Sequence, residues 1–223
     1  MIQFDFANPY LIYVMYVSFT FFSIYALFKW HEVFRRHRKL VYTVAFVALL
    51  YAQFARYAIP YLEGRPTLPF YITRIASIAA LIYLAIGKRS WDGFIFFLSV
   101  NNFWPVLIPN GPIETIRILD ESFFIDHYVA SLLAVYILTA RDYIPKMRDL
   151  LMASGLLGTF IISFAFINPL MGWGYFFMNE HNPLFDLFPW MTFLIFALLL
   201  SAGVVLFQFI MFVVGRKYHE KRA

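Results

Sequence analysis

Seven apolar runs, each close to the length that crosses a bilayer, recur along this chain of 223 residues. They cover 10–28, 41–59, 69–86, 93–109, 122–140, 150–168 and 189–215. A helix rises 1.5 Å per residue, so about 20 residues match a hydrocarbon core of about 30 Å. Lipid offers no hydrogen-bond partners, so such runs must satisfy their own backbone groups as helices. The sequence therefore predicts an all-α, polytopic membrane bundle of about seven transmembrane helices. Composition agrees, with 62% hydrophobic and 14% charged residues, where soluble domains are about a quarter charged. The spans use most of the chain, so residues 1–223 read as a single transmembrane domain. The first run carries Asp5 and no basic residue before Tyr10, and no small-residue cleavage site follows Phe28. It reads as a retained span rather than a signal peptide. The fourth run is the weakest. It contains Asn101, Asn102 and Pro105, which predict a kinked or partly re-entrant segment.

The basic residues set an orientation. Lys29, Arg35, Arg36, Arg38 and Lys39 follow the first run, and Lys88 and Arg89 follow the third. Arg141, Lys146 and Arg148 follow the fifth, and Arg216, Lys217, Lys221 and Arg222 follow the seventh. The alternate loops hold only Arg65 and Arg117. The positive-inside rule then puts the N-terminus outside and the C-terminus in the cytoplasm of a multi-pass cell-membrane protein. Trp30, Trp91, Trp173 and Trp190 lie near run ends, where aromatic rings favour the headgroup boundary. The net charge of +5 reads as a lipid-facing basic surface. Without a base-stacking module it argues for membrane lipid as the partner and against nucleic acid. With no cysteine, disulfides, thiolate metal sites and cysteine nucleophiles are excluded. No metal and no cofactor are expected.

Charged groups in hydrocarbon cost several kcal/mol and so need a reason. Arg56, Arg74, Asp126 and His127 are such groups, and with Asn102 and Asn168 they fall toward the outer half of the expected bundle. Thr73 and His127 each lie four or five residues past an expected helix start, about 6–8 Å deep. Simpler readings stand beside a site. Arg74 and Asp126 could be an internal ion pair, and Thr73 could back-bond to the preceding turn. Residues 169–189 form an aromatic outer loop rich in Gly and Pro, which fits a compact lid or an interfacial belt.

Three motifs carry a resemblance. FFIDHYVASLLAVYIL (123–138) with Asp142-Tyr143-Ile144-Pro145 resembles the Phe-Phe-x-x-His segment and x-Tyr-x-Pro turn of the YwaF-type bacterial integral membrane family. Asn168, Gly172, Tyr175, Phe176 and Phe177, then Pro183, Leu184, Asp186, Pro189 and Trp190, resemble its next signature. LPFYIT (68–73) resembles its Leu-Pro-Leu-His-Leu-Cys. The chain departs from the pattern at Tyr71, Thr73, Tyr128 and Gly174, where the family usually has His, Cys, Gly and Asn. That family is distantly similar to eukaryotic membrane Cys/His phospholipid acyltransferases and to androgen-induced Thr/His hydrolases. The resemblance implies Thr73 as nucleophile and His127 as its base, in an acyl-ester hydrolase or acyltransferase acting on lipid. Arg74, Asn102, Asn168 and Arg56 would then bind substrate. Two alternatives remain open: a transport or binding protein for lipid or small molecules, and a non-catalytic family member.

Overall fold

Every element among the described residues is helical. The computed structural model describes residues 9–62, 71–107, 121–173, 188 and 191–222. Two compact units divide the chain, Met1–Pro69 with Thr73–Tyr143 and Phe70–Ile72 with Ile144–Ala223.

The first unit opens with α1 (Pro9–Lys29) and the short α2 (His31–Arg36). Next comes α3 (Arg38–Gln53), which runs through a π-helical turn (Phe54–Ala58) into α4 (Ile59–Leu62). Then follow α5 (Ile72–Ile86), α6 (Asp92–Ser99), α7 (Phe103–Leu107) and α8 (Glu121–Thr139). Helix α8 is the axis of this unit and packs against α1, α3, α6 and α7. Its successive residues Ala134, Val135, Tyr136, Ile137 and Leu138 are all buried. Four successive residues sweep a full helical turn, so α8 is enclosed on every side, as expected of a helix that is apolar all round. The outer elements do the opposite. Phe19, Phe22, Val44, Val47 and Phe54 of α1, α3 and the π turn are exposed, which suits side chains whose solvent is lipid.

The weak fourth run is broken. α6 ends at Ser99, a 3-10 turn covers Val100–Asn102, and α7 resumes at Phe103. Asn101 and Asn102 fall in that turn, and both are buried. The Asn101 amide donates to the carbonyls of Phe97 at 2.9 Å and Leu98 at 3.2 Å. Those carbonyls belong to the last turn of α6, where the helix leaves its own acceptors unfilled. Helix α5 ends at Gly87, whose φ of +68° is the left-handed value that glycine accepts without steric cost.

The second unit is a helix pair, α9 (Met147–Met171) and α10 (Phe193–Glu220). Small residues line the contact. Ala153, Ser154 and Ala197 are buried, and an added Cβ at Gly158 would sit 3.9 Å from the Ser201 Cβ. Close approach of small residues is how helices associate where lipid tails are as apolar as leucine. Ser154 Oγ donates to Gln208 Oε1 at 2.6 Å across the pair. Pro169 lies inside α9, which continues to Met171 and ends at Gly172 in the left-handed conformation. The expected loop at 169–189 thus begins within a helix, and 174–187, 189 and 190 lie outside the described residues.

Among the described residues, four helical segments are long and apolar enough to cross a membrane: Arg38–Ala58, Ser122–Thr139, Met147–Met171 and Phe193–Glu220. Tyr13–Lys29 and Ile72–Ile86 are apolar but shorter.

Candidate functional site

Within the first unit, the polar residues singled out in the sequence gather around α8. Its first turns carry Asp126 and His127, 0% and 2% exposed. Gln53 closes α3 and donates its amide to Asp126 Oδ1 at 2.6 Å. The π-helical turn inserts one extra residue into that helix, which changes the direction of the side chains that follow. Arg56 lies in this turn, with its Nη1 3.8 Å from Asp126 Oδ2. Its guanidinium also covers the Phe123 ring, 5.2 Å from the centroid. Arg74, from the first turn of α5, stands 5.9 Å from the Tyr57 ring. The Arg56 guanidinium therefore lies within ion-pair distance of the buried Asp126 carboxylate, and Arg74 lies over the neighbouring Tyr57 ring.

His127 has a defined orientation. Its Nδ1 lies 2.7 Å from the Phe123 carbonyl, one turn back on the same helix. A carbonyl only accepts, so Nδ1 carries the proton. In the neutral ring Nε2 then holds the lone pair. The Phe123 ring lies against the imidazole at 4.1 Å between centroids. Asp126, the sequence neighbour, points about 100° away and is engaged by Gln53 instead. A backbone carbonyl thus fills the orienting role.

Thr73 lies in the first turn of α5, because that helix starts at Ile72. Helix α8 starts at Glu121, which places His127 about 9 Å along its axis and Thr73 about 1.5 Å along its own. The two do not share the equal offset expected from the apolar runs. The Thr73 hydroxyl is half-buried and has no hydrogen-bond partner among the described residues, His127 included. One turn deeper, Ser77 donates to the Thr73 carbonyl at 2.9 Å and approaches Asn102 Oδ1 at 3.5 Å. Asn102 is fully buried and also reaches the Ser99 carbonyl at 3.4 Å. Asn168 belongs to the second unit, where its carbonyl accepts from the Gly172 and Trp173 backbone N–H groups.

Gln53 and Ser77 join this cluster without having been singled out from the sequence. Both left a signal. Gln53 is an amide inside an apolar run, and Ser77 lies four residues after Thr73, on the same helix face.

A second buried network lies nearer the other end of α8. Arg141 donates from Nε to Asp92 Oδ2 at 2.9 Å and from Nη2 to Asp92 Oδ1 at 2.8 Å. Tyr83 donates to Asp92 Oδ1 at 2.7 Å, and Tyr42 meets Tyr83 at 2.9 Å between hydroxyls. Burial, the largest influence, works against the Arg141 charge, but the Asp92 hydrogen bonds together with the electrostatic pull of Tyr83, Tyr42 and Asp92 outweigh it and hold its pKa above the ordinary arginine value. The positive-inside argument counts Arg141 as one of many basic loop residues. The structure makes it half of a buried bidentate pair.

A family model described as the TMEM164 family matches residues 5–213, and the chain belongs to that family of transmembrane proteins. No curated protein and no solved structure matches the chain.

Proposed function

From the motif resemblance at 68–73 and 123–138 and the geometry around His127, we propose that this membrane-embedded protein is a lipid acyl-ester hydrolase or acyltransferase. The observation that carries the reading is the Phe123 carbonyl at 2.7 Å from His127 Nδ1. It leaves Nε2 as the free basic nitrogen of a buried imidazole. In the proposed reaction Thr73 Oγ1 attacks the ester carbonyl carbon, and its proton passes to Nε2. The tetrahedral intermediate collapses, the C–O ester bond breaks, and the departing alcohol takes the proton from His127. Water or a second alcohol then releases the acyl group from Thr73, with His127 again moving the proton. Arg56 and Arg74 supply positive charge for an oxyanion or a lipid phosphate. Asn102, buried in the break of the fourth run, is proposed to contact substrate. The reading includes seven spans, with the N-terminus outside the cell membrane, so that this end of α8 faces the outer leaflet.

The test is to incubate the purified chain with a defined diacyl phospholipid and follow free fatty acid and acyl-exchanged lipid by mass spectrometry. Turnover in wild type that falls at least tenfold in His127→Gln and Thr73→Ala supports the proposal. Turnover unchanged in both variants rejects it.

A second reading has its own observation. Gln53 Oε1, Ser99 Oγ, Asn101 Oδ1 and Ser131 Oγ are buried without hydrogen-bond partners among the described residues. Such groups could instead line a binding or transport path for a lipid or small molecule. That reading expects one intact bound species and no turnover. A non-catalytic family member would show neither.

A further inference from the structure

At the opposite end of α8 from His127, a cavity of about 350 Å³ is lined by Arg35, Arg38, Arg89, Arg141, Tyr136 and Asp142, with Gly87 and Ala140. Its charge is unbalanced. Arg141 is paired with Asp92 and Arg35 with Asp142. Arg35 Nε also donates to the Ala140 carbonyl at 2.9 Å. Arg89 spends one Nη2 donor on the Arg141 carbonyl at 3.2 Å. Arg38 has no ion-pair partner among the described residues. Arg35 also meets Glu32 at 3.3 Å, so four guanidiniums face three carboxylates, which leaves one positive charge and most of the Arg38 and Arg89 donors unused.

Tyr136 adds an independent observation. It is 2% exposed, and its hydroxyl has no hydrogen-bond partner among the described residues. A buried hydroxyl left unbonded costs about 1–3 kcal/mol, and a ligand oxygen in the adjoining cavity would remove that cost.

Tyr136 also borders a second cavity of about 510 Å³ between α1, α3 and α8. Phe19, Phe22, Val44, Ala48 and Leu132 form its walls, and Tyr128 lies at its far end. From Tyr128 to Tyr136 the groove follows α8 for about 12 Å. One residue thus separates an arginine-lined cavity from an apolar groove.

We propose that this pair of cavities binds a phospholipid, with its phosphate on Arg38 and Arg89 and one acyl chain in the groove beside α8. Guanidinium matches phosphate by charge and by parallel N–H donors. Free phosphate would satisfy the arginines and leave the groove unused. An amphiphile occupies both. The site lies about 13 Å along α8 from His127 and is independent of any chemistry there.

The full chain, purified in neutral detergent, would be exposed separately to phosphatidylglycerol, to diacylglycerol with the same chains, and to inorganic phosphate. Native mass spectrometry would read retained lipid, and thermal unfolding would read stabilisation. Wild type is expected to retain phosphatidylglycerol at least tenfold better than diacylglycerol, with a larger thermal shift than inorganic phosphate produces. Arg38→Gln with Arg89→Gln should lower retention about tenfold at unchanged unfolding temperature, since both side chains are exposed. Ala48→Phe should lower it by blocking the groove without touching the arginines. Lys39→Gln with Lys217→Gln, exposed charges outside the cavity, should leave it unchanged. Equal losses in the lysine and arginine variants would reduce the effect to general surface charge and overturn the proposal. A thermal shift from inorganic phosphate as large as that from the lipid would overturn the lipid assignment.

Discussion

Arg141 holds Asp92 through two parallel hydrogen bonds, 2.9 Å from Nε and 2.8 Å from Nη2, with both side chains buried. This pair ties the N-terminus of α6 to the turn just beyond α8. Tyr83 extends the tie to α5, and Tyr42 extends it to α3. Four helices of the first unit therefore meet at one carboxylate.

Removing one partner strands the other charge. Asp92→Ala should destabilise the fold by about 3–5 kcal/mol, as expected when a buried charge loses its counter-ion. The double variant Asp92→Leu, Arg141→Met should recover much of that loss, because it strands no charge. Unfolding titrations in mixed micelles measure both. A double variant no more stable than Asp92→Ala would mean that the ion pair contributes more than charge compensation.

The Gln53–Asp126 hydrogen bond makes a smaller prediction. Gln53→Leu should cost about 1–3 kcal/mol, the penalty for leaving a buried acceptor without its donor. Gln53→Glu should cost more, because it sets two carboxylates against each other. The same titrations rank the two. A reversed order would mean that Asp126 is protonated in the folded protein.

In the second unit, space decides the outcome at Gly158. An added Cβ there meets the Ser201 Cβ at an ordinary contact distance of 3.9 Å, so Gly158→Ala should fit and raise stability by about 0.5–1 kcal/mol through the lost backbone freedom of a helical glycine. Gly158→Leu overfills the contact and should cost about 1–3 kcal/mol. Cross-linking yield between cysteines placed on α9 and α10 would report the separation of the pair. Equal yields in both variants would show that this contact is not tight.

Much of this architecture was legible in the sequence, for a physical reason. Lipid removes every backbone solution except the helix, so the apolar runs at 41–59, 122–140 and 150–168 reappear as α3 with its π turn, α8 and α9. Asn101 and Asn102 foretold the break in the fourth run, because amides side by side compete for helix carbonyls. Pairings were less legible. Asp92 and Arg141 lie 49 residues apart, and each sits beside other polar residues that could have served as partner. The third apolar run reads from 69, and among the described residues α5 starts at Ile72. That shift moves Thr73 into the first turn.

Gly87 makes a local prediction. At φ +68° a Cβ is strained, so Gly87→Ala should lower stability by about 1 kcal/mol even though its nearest neighbour, a Tyr42 carbon, is 3.9 Å away. Thermal unfolding of the two proteins side by side measures it. No change would mean that the turn relaxes to negative φ.

The proposed chemistry is tested most directly by locating a covalent adduct. The purified chain would be treated with a fluorophosphonate ester probe and its peptides mapped by mass spectrometry, with His127→Gln in parallel. An adduct on Thr73 in wild type, reduced at least tenfold in His127→Gln, is the predicted result. An adduct on another residue, equal labelling in the two proteins, or no adduct in wild type would contradict the Thr73–His127 pair.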